Sequence, residues 1–202
     1  MSVQQLRPSF VVLALAAAIA AAAAADARPQ RRDADLMKQK VAAINAFGER
    51  PAKQRRSTTV TETEVNAYLV YDAHNDLPVG VVEPSVTILG TGRVSGRAVV
   101  DLDAVRKDKK PTSMLDPMNY LSGRLPITAS GVLTTSNGVG RFALESAAVS
   151  GIPIPKMVLQ EIVGYYSRTP QNPAGISLDD PFALPARIRE IHVERGQAVV
   201  VQ

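Results

Sequence analysis

The chain has 202 residues, with 23 Lys and Arg against 19 Asp and Glu, no cysteine, no tryptophan, and only five Tyr and four Phe. The lack of cysteine excludes disulfide support and a lipid-modified cysteine anchor, and the scarcity of rings makes the core an aliphatic one. The net charge of +4 is concentrated: Asp26–Arg56 carries nine basic residues against four acids, Arg7 adds one positive charge, and Ser57–Gln202 is left at −2.

The first segment reads as an export signal. Met1–Arg7 supplies a charged start, Phe10–Ala25 an unbroken apolar run of about 16 residues, and Ala25-Asp26-Ala27 an A-x-A cleavage site. That run is shorter than the roughly 20 residues that span a bilayer, which favours cleavage over the alternative, retention as an anchor. Cleavage near Ala25 or Ala27 predicts a periplasmic or secreted protein of about 175 residues, enough for one domain with a sizeable core. The expected division is a signal peptide over 1–27, a basic helical extension and linker over 28–56, and the domain over 57–202.

Within the extension, Leu36, Val41, Ile44 and Phe47 recur at helical spacing over Asp33–Phe47. Asp33 or Asp35 suits the start of that helix and Gly48 its end. Arg28, Arg31, Arg32, Arg55 and Arg56 offer either weak contact with an anionic membrane or a solvated linker. Export excludes nucleic acid as their partner. The helix either adds its apolar face to a membrane contact or docks on its own domain.

The domain is expected to open with a helix inside Thr58–Tyr71, started by the capping box Thr61-Glu62-Thr63-Glu64. Val65, Tyr68 and Leu69 form its apolar face, with Asn66 beside them. Val79–Thr91 and Val94–Asp103 then make a long hairpin around Gly90-Thr91-Gly92-Arg93. Val94, Ala98, Val100 and Leu102 lie on one face, and Ser95, Arg97, Asp101 and Asp103 on the other, the period of a half-buried antiparallel strand. Pro84 belongs at an edge or a bulge. Ala104–Met118 is a charged connection.

A second hairpin joins Tyr120–Thr135 to Val139–Val149 through Asn137-Gly138, with Phe142, Leu144 and Ala148 on one face and Arg141 and Glu145 on the other. Gly151-Ile152-Pro153-Ile154-Pro155 ends the sheet and starts a helix that runs to Arg168. Ile154, Met157, Val158, Leu159, Ile162, Val163, Tyr165 and Tyr166 make that helix apolar over most of its circumference. It is therefore expected at the centre of the core, where a charge at Ile162 would unfold the domain. After the Pro- and Gly-rich loop Thr169–Pro185, Arg187–Glu194 and Gln197–Gln202 read as a terminal hairpin around Arg195-Gly196. Ile191 and Val193 should face inward, His192 and Glu194 outward.

No residue set names a reaction. Asp72, His74 and Asp76 alternate in a polar segment with the composition of a plain loop, and His192 lies on a polar strand face, so no metal site is expected. Gly90, Gly92 and Gly96 precede a strand rather than a helix, so they serve a turn and not a phosphate. No G-x-S-x-G motif is present. The expectation is a protein that is not an enzyme and carries no cofactor.

The order of elements resembles small bacterial exported proteins of the tubular lipid-binding (TULIP) superfamily. The resemblance covers roughly Ser57–Gln202 and rests on two patterns. Thr61, Glu64 and Asn66 match a T/S-x-x-E-x-N helix opening, and Gly151, Pro153 and Pro155 match a turn into the later helix. It implies an α+β fold in which a long curved antiparallel sheet wraps around a long helix, and a function in binding or carrying lipid or another apolar ligand. Ile154, Met157, Val158, Ile162, Tyr165, Tyr166, Val100, Leu102, Phe142 and Leu144 are the candidate apolar ligand contacts. The alternative is a structural or interaction module of the cell envelope with a filled core.

Overall fold

The computed structural model describes residues 29–50, 54–73, 77–108, 122–168 and 172–202. The signal segment, Arg28 and the His74–Asp76 stretch lie outside the described residues, as do the side chains of Tyr165 and Tyr166. The fold is α+β. In chain order it runs α1 (Arg31–Glu49), β1 (Ser57–Thr61), α2 (Glu62–Tyr71), β2 (Val81–Gly90), β3 (Arg93–Asp101), α3 (Leu102–Asp108), β4 (Arg124–Ser136), β5 (Val139–Val149), β6 (Ile152–Pro153), α4 (Lys156–Tyr166), β7 (Phe182–Ala183), β8 (Glu190–Glu194) and β9 (Gln197–Val201). Strands β1-β9-β8 form one antiparallel sheet; β2-β3-β4-β5-β6 form the core of a larger one, with β7 on β5.

Both long hairpins and the terminal hairpin form where the turn residues place them. Asn137 and Gly138 have φ of 51° and 81°, the left-handed pair a tight two-residue hairpin requires. At Gly90-Thr91-Gly92 all three φ values are positive, so the glycines serve a turn. Pro84 coincides with a break in the β2–β3 register between Val82 and Ser85, which spares the ladder a missing donor. Inward Ile191 and Val193 and outward His192 and Glu194 alternate on β8 as their pattern dictates.

One strand precedes the expected helix, and three local readings are corrected. Ser57–Thr61 forms that strand: its β-branched residues pair with Gln197–Val201, and Thr61 then caps α2 as its capping box requires. Leu102 opens α3 rather than closing a strand, because the Asp101 carboxylate accepts the N–H groups of Asp103 and Ala104, both at 3.0 Å. On β3, Ser95 is buried rather than solvent-facing. On β5, Glu145 is an extra residue with no partner on β4, and this bulge turns Ala147 inward in place of Ala148.

The largest correction concerns α4. Its apolar circumference predicts a central helix, yet Met157 is 76% exposed and Ile162 43%, and the preceding Ile152 is 70% exposed. The helix rests against β5 on one side and is tied to the following loop by Lys156–Asp179 and by Gln160, which bonds Ile176 and Leu178. The core lies elsewhere. Ile44 of α1, Leu69 of α2, Val86, Ile88 and Val94 of the first hairpin, and Ile191, Val193, Ala198 and Val200 of the last hairpin form one cluster. The extension is therefore part of the domain's core, and its helix docks on the domain.

Candidate apolar ligand site

A partly open cavity of about 180 Å³ lies inside this cluster. α1 supplies one wall through Met37, Val41, Ile44 and Asn45; α2 supplies Val65, Tyr68 and Leu69. The opposite walls are strands, with Val60 of β1, Val86 and Ile88 of β2, Val94 of β3, and Ile191, Val193, Ala198 and Val200 of the terminal hairpin. Asn45 and the Tyr68 hydroxyl are the only polar side-chain groups among the lining residues. Among the described residues no charged side chain lines it.

Sequence dictates each wall. Met37, Val41 and Ile44 stand at i, i+4 and i+7, one stripe of a helix. The terminal hairpin contributes alternate residues from both strands, as period two requires. Helix α2 is fixed at its start by the complete capping box: Thr61 N–H donates to Glu64 Oε2 at 2.8 Å, and Glu64 N–H donates to Thr61 Oγ1 at 3.3 Å. Its polar side chains then close the free edge of β2. Asn66 Nδ2 donates to the Val86 carbonyl at 2.8 Å and its Oδ1 accepts the Val86 N–H at 2.7 Å; Glu62 Oε2 accepts the Ile88 N–H at 2.6 Å. Asn66 thus stands in for a neighbouring strand.

Polar contacts hold α1 across the cavity. Lys40 Nζ lies 2.7 Å from both oxygens of Glu64, Arg31 and Lys38 reach Asp72 at 3.1 and 3.6 Å, and Gln202 Nε2 donates to the Ile44 carbonyl at 2.8 Å. Burial pushes the Glu64 carboxyl up, but the Lys40 hydrogen bond, the Thr61 N–H and the Lys40 charge outweigh it and hold the group below its ordinary 4.5. A depressed folded-state value means that Glu64 stabilises the fold above pH 4.5 and loses that contribution as pH falls through the lower, folded value. Glu64→Gln is expected to cost about 1–2 kcal/mol at neutral pH, a gap from wild type that narrows as pH falls below 4.5. Urea unfolding of both proteins across that range measures it; a gap independent of pH would contradict the pairing.

The contacts expected from sequence are not gathered here. None of Ile154, Met157, Val158, Ile162, Val100, Leu102, Phe142 and Leu144 lines the cavity. Phe142 packs against the surrounding cluster, Leu102 is buried at the start of α3, Val100, Leu144 and Ile154 are half-buried, and Met157, Val158 and Ile162 are exposed. Of the basic residues, Arg31 is paired with Asp35 and Asp72, Arg32 with Asp33, and Arg56 lies over the Phe47 ring at 5.6 Å. Arg55 is exposed, and His192 faces Glu190 at 3.2 Å on the surface. Among the described residues no group of three metal-ligating side chains exists, and no helix is long and apolar enough to cross a membrane. Comparison with protein-family models, curated proteins and solved structures finds no match.

Proposed function

We propose that this protein, after export to the periplasm or beyond, binds or carries a lipid or similar apolar molecule in the cavity beneath α1, by binding and not by catalysis. The observation that carries this reading is the cavity itself: about 180 Å³ bounded by aliphatic side chains from both sheets and two helices. An aliphatic cavity of about 150 Å³ holds one benzene-sized molecule. This one has room for a ring or the end of an acyl chain, with the rest of the molecule leading out through the open side. The resemblance to tubular lipid-binding proteins is part of the same reading, with α1 and α2, rather than α4, as the helices beside the ligand. The basic extension adds weak attraction to anionic lipid through Arg28, Arg32 and Arg55, and that attraction falls as salt rises.

Each methylene buried contributes about 0.8 kcal/mol, roughly a fourfold gain in affinity. Displacement of the fluorescent apolar probe N-phenylnaphthylamine by alkanols of increasing length is therefore expected to strengthen about fourfold per carbon and then level off once the cavity is full. Val41→Trp, which places a large ring at the α1 wall, should abolish probe uptake while the fold survives. Displacement indifferent to chain length, or unchanged uptake by Val41→Trp, would rule the cavity out as the binding site.

A further inference from the structure

The polarity of the cavity restricts which amphiphile enters it, an inference that rests on the apolar-ligand reading above. Asn45 is half-buried on α1 and lines the cavity, and its amide makes no hydrogen bond with any described residue. An amide offers two donors and an acceptor, and a half-buried one without a protein partner is met by water, which a ligand's head group can replace. The two cations nearest in sequence, Lys40 and Arg50, do not line the cavity, and Lys40 is held on both oxygens of Glu64. No Lys, Arg or His stands among the described lining residues. A carboxylate or phosphate head drawn in beside Asn45 would be stripped of water without a counter-charge, which costs far more than burying a hydroxyl or ester.

The geometry points to an uncharged amphiphile as the ligand: an apolar tail inside the strands and a single neutral oxygen function, a hydroxyl or ester carbonyl, on the Asn45 amide. Asn45 is then the residue that sets specificity for the head, while Val60, Ile88, Val193 and Ala198 take the tail without regard to it. Either head serves, because the amide donates to a carbonyl and both donates to and accepts from a hydroxyl.

The test uses the full mature chain and chain-matched competitors against N-phenylnaphthylamine: decanol, methyl decanoate, and decanoate at about pH 8, where the acid is ionised. Decanol and the methyl ester are expected to displace the probe at concentrations about tenfold or more below decanoate. Asn45→Leu should weaken both neutral competitors about three- to tenfold, the loss of one hydrogen bond, while probe affinity itself moves less than about twofold. Asn45→Gln, with the same amide on a longer stem, should recover part of the loss. Decanoate displacing as well as decanol, or Asn45→Leu leaving the neutral competitors unchanged with the probe still bound, would overturn the head-group assignment alone. Failure of the wild-type protein to take up the probe at all would overturn the apolar-ligand reading beneath it.

Discussion

Ala67→Asp is expected to unfold the domain, whereas Ile162→Asp is expected to leave it folded. Ala67 sits in the middle of α2 with 0% exposure, in the helix that packs on α1 and on β2. An aspartate there must lose its hydration and force a larger side chain into a position with no exposure. Burial of charge and overpacking together cost about 4 kcal/mol or more, a large part of the 5–15 kcal/mol that holds a typical domain. Ile162 is 43% exposed on α4, so its replacement removes a modest apolar contact and leaves the carboxylate in water. That change is expected to cost less than about 1 kcal/mol. Urea unfolding followed by circular dichroism separates the two; an equal collapse in Ile162→Asp would return α4 to the centre of the core.

Asn66→Leu is the second substitution with a large expected effect, although it keeps the side chain's size. It leaves the N–H and the carbonyl of Val86, a residue 3% exposed, without their side-chain partner. Each abandoned buried polar group costs about 1–3 kcal/mol, so a loss of about 2–6 kcal/mol is expected. Asn66→Asp, which accepts from the N–H but cannot donate to the carbonyl, should fall between. Protection of the Val86 amide against hydrogen exchange should drop in step with stability in Asn66→Leu. Unchanged protection would show that β2 keeps its edge closed by other means.

The elements that formed where the sequence placed them share one property: a local signal sufficient by itself. The capping box at Thr61 and Glu64 and the left-handed turn at Asn137-Gly138 need no tertiary partner to be specified. Alternation on β8 likewise places Ile191 and Val193 inward. The misses needed information that no single segment carries. Whether an apolar helix is central or peripheral depends on what reaches it, and α4 is apolar nearly all round yet leaves Met157 outside. The bulge at Glu145 inserts one residue and flips the facing of everything after it, which a period-two count cannot detect.

The candidate site was less legible than the fold. Its walls come from α1, α2, β1, the first long hairpin and the terminal hairpin, segments far apart in sequence that neither periodicity nor spacing connects. One signal was available. On α1 the stripe Met37, Val41, Ile44 fits helical spacing better than the stripe through Leu36, which the structure leaves 40% exposed. A docked helix buries such a stripe against another surface, and the matching apolar surface was present in Val193, Ala198 and Val200.

An apolar ligand that enters beneath α1 brings its tail among the methyl groups of the core. Methyl-labelled protein titrated with a fatty alcohol carrying a nitroxide on its tail tests this most directly, because the spin label broadens only the methyl signals near it. Ile44, Val60, Ile88, Val193 and Ala198 are expected to broaden together and saturably, with Met157 and Ile162 of α4 unaffected. Broadening centred on Met157 and Ile162, or none at saturating probe, would contradict the cavity beneath α1 as the ligand site.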